Sequence, residues 1–134
     1  MNYWLVKSEP GEYSYDDLVQ DGSTYWDGVR NYAARNNLKN MKVGDKVLFY
    51  HSVNEKSVVG ISKVVREHYQ DPTTTDERWV VVDLAAVKKL KNPVTLAQIK
   101  GESELAEIAL VRQSRLSVMP LDRTAYDRIV DMSK

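Results

Sequence analysis

The chain has 134 residues, of which 43% are hydrophobic and 28% charged, a composition typical of one globular domain. Its 19 basic residues balance its 19 acidic residues, which argues against a partner held by bulk charge, and the absence of cysteine excludes disulfides and zinc–thiolate sites. No apolar run exceeds four residues, far short of the roughly twenty of a membrane span. We therefore expect one soluble, cytoplasmic domain over residues 1–134, monomeric and without membrane contact.

Charge is unevenly distributed along the chain. Residues 1–27 hold one basic and six acidic side chains, whereas residues 28–66 hold eight basic and two acidic ones. The remaining residues, 67–134, are nearly balanced. This pattern predicts a local basic surface contributed by the middle third, and the alternative interpretation is an ordinary solvated face.

Short strands and helices alternate in the first half of the chain. The sequence predicts a strand over 2–8, a helix capped by Ser14, an extended piece at 24–26, a helix over 30–40, and strands over 46–52 and 57–66. Gly60 lies inside the last of these strands. A glycine at such a position indicates a bulge or a close backbone approach.

The second half begins with a strand predicted over 78–87, which would bury Trp79 in the core. Three helices are then predicted, one opened by Pro93 and capped by Thr95, one from Ser103 to Ala109 and one capped by Asp122, with an extended segment at 112–118 before the last. A block of strands with helices before and after it favours an α+β fold on a mixed or antiparallel sheet that curls like a barrel.

Common cofactor and metal motifs are absent. The sequence contains neither G-x-G-x-x-G nor a phosphate-binding G-x-x-x-x-G-K-[ST] loop. Its two histidines, His51 and His68, are far apart and on different predicted elements, a spacing that does not favour a metal site. We expect no cofactor and no metal.

Two stretches place polar groups where strands or turns end. Lys7-Ser8-Glu9 follows the opening strand, and Trp26 precedes an Asp-Gly turn that leads into the predicted helix start at 29–31. An aromatic face beside amide and guanidinium donors suits a flat heterocycle, which needs stacking and edge hydrogen bonds. The alternatives are an ordinary strand end and a tryptophan that closes the core.

Several motifs, in this order, resemble the EVE domain family of the PUA-like superfamily. They read N-Y-W-L-V-K-S-E-P at 2–10, W-D-G-V-R-N-Y-A-A-R-N at 26–36, K-V-G-D-K-V-L-F-Y-H-S at 42–52, V-V-G-I-S-K-V-V at 58–65, D-P-T at 71–73, W-V-V-V-D-L at 79–84 and R-Q-S-R-L-S-V at 112–118. The resemblance implies a PUA-like, barrel-like mixed sheet of five or six strands with short flanking helices. It also implies a non-catalytic module that binds a modified cytosine or adenine of DNA or RNA.

The resemblance also assigns roles to individual residues. It places the base between the Trp26 loop and the end of the first strand, with Trp26 stacking on the base. The residues expected to surround the base are Lys7, Ser8 and Glu9 at its edge, Val29, Asn31 and Tyr32 below it, and Tyr50, His51 and Ser52 opposite. Those expected at the nucleic-acid backbone are Arg30, Arg35, Arg112, Gln113 and Arg115.

Two other functions stay open at this point. The related ASCH branch resembles small hydrolases that act on bases or nucleosides through a lysine and a glutamate, and Lys7 and Glu9 are this chain's candidates. Strand alternation places these two side chains on one face. A protein-interaction module with a partner protein is the other alternative, and it predicts a large exposed apolar patch.

Overall fold

The computed structural model describes residues 1–134 and is built on one six-stranded mixed sheet. The strands are β1 (Tyr3–Ser8), β2 (Ser23–Tyr25), β3 (Lys46–His51), β4 (Ser57–Gln70), β5 (Val80–Thr95) and β6 (Val118–Leu121). Their order is β2-β5-β4-β3-β1-β6. Among the neighbouring pairs, β1 and β3 are parallel and all the others are antiparallel. The predicted α+β fold with a mixed sheet is confirmed.

Five short α-helices flank the sheet. They are α1 (Tyr15–Asp21), α2 (Tyr32–Asn40), α3 (Leu96–Lys100), α4 (Ala109–Arg112) and α5 (Arg123–Met132), and a 3₁₀ turn spans Ser103–Leu105. The predicted caps Ser14, Thr95 and Asp122 are confirmed, since each side chain accepts a hydrogen bond from a backbone N–H of the first turn. None of the helices has the length and apolar character that a membrane crossing demands.

Three predicted segments differ from the structure. Helix α2 begins at Tyr32 rather than at residue 30, because the Asn31 side chain accepts from the Ala34 N–H and so caps the helix there. The helix predicted over 103–109 is wrong: a 3₁₀ turn ends at Leu105 and α4 begins only at Ala109. The extended segment predicted over 112–118 is also wrong, because this part of the chain turns before β6.

The long pair of strands β4 and β5 corrects two further predictions. Strand β5 continues to Thr95, so Pro93 lies in a strand rather than opening a helix. It begins only at Val80, which leaves Trp79 outside the sheet and partly exposed instead of in the core. Four register shifts interrupt this pair, and such bulges bend strands and increase their twist.

Helix α1 is fixed against the sheet through Gly60 and His51. A Cβ at Gly60 would lie 2.4 Å from the Tyr15 ring, so only glycine allows this approach. The Tyr15 hydroxyl donates to the Ile61 carbonyl at 2.6 Å, and the Tyr15 N–H donates to His51 Nε2 at 3.0 Å. The bulge predicted at Gly60 is confirmed, because the strand register shifts between Val58 and Gly60. The group that approaches Gly60 is the Tyr15 side chain and not another backbone segment.

The parallel pairing of β1 and β3 positions the polar residues at their ends. Because the two strands run in the same direction, Lys7 lies opposite Tyr50 and Ser8 opposite His51. A backbone hydrogen bond of 2.9 Å from the Ser52 N–H to the Ser8 carbonyl continues the pairing beyond the strands. The fold therefore brings both predicted strand ends to one edge of the sheet.

Candidate functional site

A cavity of about 740 Å³ opens beside the carboxyl end of β1. Its size lies within the range of roughly 300–1,000 Å³ that is typical of small-molecule sites. The residues that line it come from four segments of the chain and are Lys7, Ser8, Glu9, Glu12, Tyr13, the run 24–30, Ser52, Ser114 and Ser117. Six of the predicted site residues are among them: Lys7, Ser8, Glu9, Trp26, Val29 and Ser52, together with Arg30 from the predicted backbone set.

Trp26 belongs to both the core and the cavity wall. Its side chain is 8% exposed, and its ring meets Phe49 edge-on, with ring centroids 5.3 Å apart and planes at 84°. Tyr13 approaches it in a similar edge-on geometry at 6.4 Å. Packing against these two rings fixes the orientation of the indole, and the small exposed part of Trp26 lies at the cavity.

The turn after Trp26 is tied to a buried carboxylate, Asp71. The side chain of Asp71 is fully buried, and its Oδ2 accepts from the Gly28 N–H at 3.1 Å and from Arg30 Nη1 at 3.0 Å. Its Oδ1 accepts from the Thr73 N–H at 2.7 Å. Gly28 has a φ of +76°, a backbone conformation that favours glycine. Asp71 thus sets the shape of the loop that carries Trp26.

These hydrogen bonds keep Asp71 ionised. Burial by itself raises the pKa of this carboxyl, but the bonds from Thr73, Arg30 and Gly28 outweigh it and lower the pKa to about 2. The charge is therefore present at all ordinary pH values. Its partner Arg30 is partly exposed at the cavity.

Lys7 holds the opposite wall of the cavity. Its Nζ donates to the Ser114 carbonyl at 2.9 Å, and its backbone N–H donates to the Ser117 carbonyl at 2.9 Å. Burial lowers the pKa of the Lys7 ammonium. Lys7, the candidate lysine of the alternative hydrolase function, thus holds the segment 113–117 in place.

Three carboxylates lie in the cavity lining without a hydrogen-bonded or ionic partner: Glu9, Glu12 and Asp27. The two basic residues of the lining, Lys7 and Arg30, are already bonded to Ser114 and Asp71. The free charged groups of the lining are therefore all acceptors. Such a lining suits a ligand that presents N–H groups and disfavours a phosphate inside the cavity.

Tyr50 and His51 lie behind the cavity and do not line it. Tyr50 is 3% exposed and His51 7%, because the buried run of β3 continues to its last residue. His51 Nε2 accepts from the Tyr15 N–H, so Nδ1 carries the proton that faces Glu55 Oε1 at 3.1 Å. The imidazole links α1 to β3, and Ser52 is the residue of this strand end that reaches the cavity.

Asn31 and Tyr32 also lie outside the cavity. Asn31 caps α2 and borders a second, shallower groove of about 340 Å³, which it shares with Arg112, Gln113 and Arg115. Tyr32 faces solvent and packs against Trp79. The later start of α2 is the reason, since it turns both side chains away from Val29 and the cavity.

The predicted backbone-binding arginines are dispersed around the cavity. Arg112 is paired with Glu107, whereas Arg115 is exposed with no carboxylate in reach. Arg35 lies over the Tyr32 ring. Of the predicted set, Arg112, Gln113 and Arg115 border one groove, which adjoins the cavity through Ser114.

Sequence reasoning missed part of the lining and the residue that supports it. Tyr13, Glu12 and Ser114 line the cavity, and Asp71 braces its loop from behind. Asp71 is 43 residues from Gly28, and the one available signal was the Asp-Pro-Thr turn at 71–73. No three histidine or carboxylate side chains converge in the way that a metal ion requires.

Comparison with known proteins places this cavity in context. The protein-family model described as the EVE domain matches residues 2–132 of this chain. The chain belongs to the EVE domain family. Human thymocyte nuclear protein 1 is 31% identical to it over 167 aligned residues, which cover 99% of this chain and 74% of the human protein.

Two solved structures have the same fold as this EVE domain. A protein from Agrobacterium tumefaciens is 41% identical and superposes with a TM-score of 0.97. The match covers 99% of this chain and 93% of the Agrobacterium chain. Human thymocyte nuclear protein 1, solved in complex with DNA containing 5-methylcytosine, is 31% identical and superposes with a TM-score of 0.93. The match covers 100% of this chain and 98% of the human chain in that structure. The fold of the chain is therefore that of the human EVE domain.

Proposed function

We propose that this EVE domain is a non-catalytic module that binds 5-methylcytosine of DNA in the cavity beside β1. The observation that carries the proposal is the lining itself, which combines a tryptophan fixed by Phe49 with carboxylates that have no partner. The human relative that was solved with methylcytosine-containing DNA supports the choice of base.

The chemistry of cytosine matches these groups. Its ring stacks on the free part of the Trp26 indole, and its exocyclic N4 amine donates to a carboxylate, as in other protein contacts to this base. Glu9 is our candidate acceptor, because it follows the rigid end of β1. The 5-methyl group is apolar and contacts Val29, a buried apolar residue of the lining.

A base enters such a cavity only after it leaves the double helix. Flipping costs a few kcal/mol, which stacking and edge hydrogen bonds must offset. Phosphates cannot follow the base into a cavity lined by carboxylates, and Arg115 in the adjoining groove is the free cation that would meet them. In this proposal the protein holds the base and performs no reaction, since Lys7 is bonded to a backbone carbonyl.

The test compares duplexes that are identical except for one cytosine or 5-methylcytosine, titrated by calorimetry. We expect the wild type to prefer the methylated duplex and Trp26→Leu to lose affinity about tenfold or more, since base–aromatic stacking contributes roughly 1–3 kcal/mol. Trp4→Leu is the matched control, because Trp4 is a buried tryptophan bonded to Asp45 and outside the cavity.

Three results would contradict the proposal: equal affinity of the wild type for both duplexes, a Trp26→Leu variant that binds like the wild type, or a reaction product in the titration cell. A methylated RNA strand is titrated in parallel. If the domain binds it more tightly than the DNA, the assignment to DNA is wrong and RNA is the partner.

A further inference from the structure

Two aromatic rings pack against each other on the surface, outside the cavity. The Tyr32 and Trp79 centroids are 5.3 Å apart and their planes are inclined by 31°. Tyr32 is 52% exposed, and Trp79 precedes β5 and is partly exposed. Neither ring belongs to the buried core, and more than half of Tyr32 is open to solvent.

Arginines surround this pair. The guanidinium of Arg35 lies 5.0 Å from the Tyr32 centroid, and that of Arg30 lies 5.7 Å from the Trp79 centroid. Arg78 donates to the Tyr32 hydroxyl at 3.1 Å. Aromatic rings combined with arginines are the features with which proteins hold unpaired nucleotides.

The charges of these arginines are not equally available. Arg78 is paired with Asp76 and Arg30 with Asp71, so both are largely neutralised by their partners. Arg35 bonds only to the Asn36 side-chain oxygen, at 2.8 Å, and has no carboxylate within reach. It is therefore the free cation beside the aromatic pair.

The aromatic pair is continuous with the cavity. Arg30 lines the cavity and also lies over the Trp79 ring. The Asp71 backbone N–H donates to the Trp79 carbonyl at 2.9 Å. Asp71 therefore shapes the Trp26 loop through its carboxylate and holds the chain next to Trp79 through its backbone. Arg30 therefore lies between the cavity and the aromatic pair.

We propose that Tyr32 and Trp79 form a second stacking surface, which holds an unpaired base of a nucleotide adjacent to the one in the cavity, with Arg35 on its phosphate. This inference rests on the proposed function, because it needs the neighbouring base to be in the cavity. Stacking is tolerant of sequence, so this surface adds affinity for the strand but no preference for the methyl group.

The test uses three ligands: the free nucleoside 5-methyl-2′-deoxycytidine, a short single-stranded DNA with one 5-methylcytosine, and the same strand with cytosine. We expect Tyr32→Ala to bind the nucleoside like the wild type and to bind both strands about tenfold more weakly. Tyr32→Phe keeps the ring and should stay within about twofold of the wild type. Arg35→Gln should weaken strand binding and reduce its dependence on salt.

The control is Tyr126→Ala, which disrupts another tilted aromatic pair, that of Tyr126 with Tyr3 at 4.5 Å, outside the cavity lining. It should leave strand affinity unchanged. Wild-type affinity of Tyr32→Ala for both strands would overturn the inference and leave the surface to a protein partner. Equal affinity of the wild type for the methylated and the unmethylated strand would instead contradict the proposed function. The two failures are distinguishable, because the effect of Tyr32→Ala is also measured on the unmethylated strand.

Discussion

Different kinds of interaction hold the two walls of the cavity. The wall over residues 26–30, called here the Trp26 wall, rests on the fully buried carboxylate of Asp71 and its bonds to Gly28 and Arg30. The wall over residues 113–117, called here the Ser114 wall, is tied by the half-buried Lys7 to a carbonyl. The ion pair of Arg112 with Glu107 beside it is exposed.

This difference indicates which wall is fixed before binding. Hydrogen bonds to a buried charge such as that of Asp71 contribute about 1.5–3 kcal/mol. The Lys7 bond to Ser114 is exposed, and exposed ion pairs such as that of Arg112 contribute only about 0–1 kcal/mol. The Trp26 wall is therefore the rigid partner on which a base stacks, at little cost in ordering. The Ser114 wall is held more weakly and can move when a base enters.

The largest expected effect comes from removing the support of the Trp26 wall. Asp71→Ala leaves the Gly28 N–H and the Thr73 N–H without their acceptor, and we expect the free energy of unfolding to fall by about 2–3 kcal/mol. Urea denaturation measures this loss. Affinity for methylcytosine-containing DNA should fall as well, because the Trp26 loop loses its shape.

Asp16→Ala is the control for that substitution. Asp16 pairs with Lys89 at 2.8 Å on the exposed surface, so its loss should cost no more than about 1 kcal/mol. Equal losses of unfolding free energy in the two variants would show that Asp71 supports the Trp26 wall no more strongly than an exposed ion pair would.

The second prediction concerns acid. The folded-state pKa of Asp71, about 2, lies below its unfolded value of about 3.9, so its stabilising effect is fully present above pH 4 and is lost as the pH falls through 2. The difference in unfolding free energy between the wild type and Asp71→Asn should therefore shrink from pH 5 to pH 2. A difference that stays constant across this range would refute the assignment.

The smallest expected effect comes from the Ser114 wall. Lys7→Met removes the bond to the Ser114 carbonyl but keeps the backbone bond to Ser117. Because the lost bond is exposed to solvent, the free energy of unfolding should change by less than about 1 kcal/mol. In hydrogen exchange, the amides of residues 113–117 should exchange several-fold faster, while the Gly28 amide stays protected. Equal acceleration at Gly28 would show that the two walls are not independent.

Local features of the fold were predictable from the sequence. Ser14, Thr95 and Asp122 cap helices because their side chains reach backbone N–H groups only three residues ahead. Gly60 indicated the bulge at which the strand register shifts. The helix predicted from residue 30 begins only at Tyr32, because the Asn31 side chain caps it there.

Long-range features were not predictable in the same way. Trp79 follows a loop whose path depends on Asp71, and nothing in its local pattern separated a surface ring from a core ring. Strand pairing determines the rest of the site. The ends of β1 and β3 meet as the family resemblance implied, but burial of Tyr50 and His51 leaves Ser52 as the residue that reaches the cavity.

The central claim is that 5-methylcytosine occupies the cavity against Trp26. Its most direct test is a nuclear Overhauser measurement on the complex with DNA carrying a ¹³C-labelled 5-methyl group. We predict contacts from that methyl group to the Trp26 indole and to Val29, and none to Tyr32. Contacts to Tyr32 or Trp79 alone, or a methyl group that stays stacked within the duplex, would contradict the account.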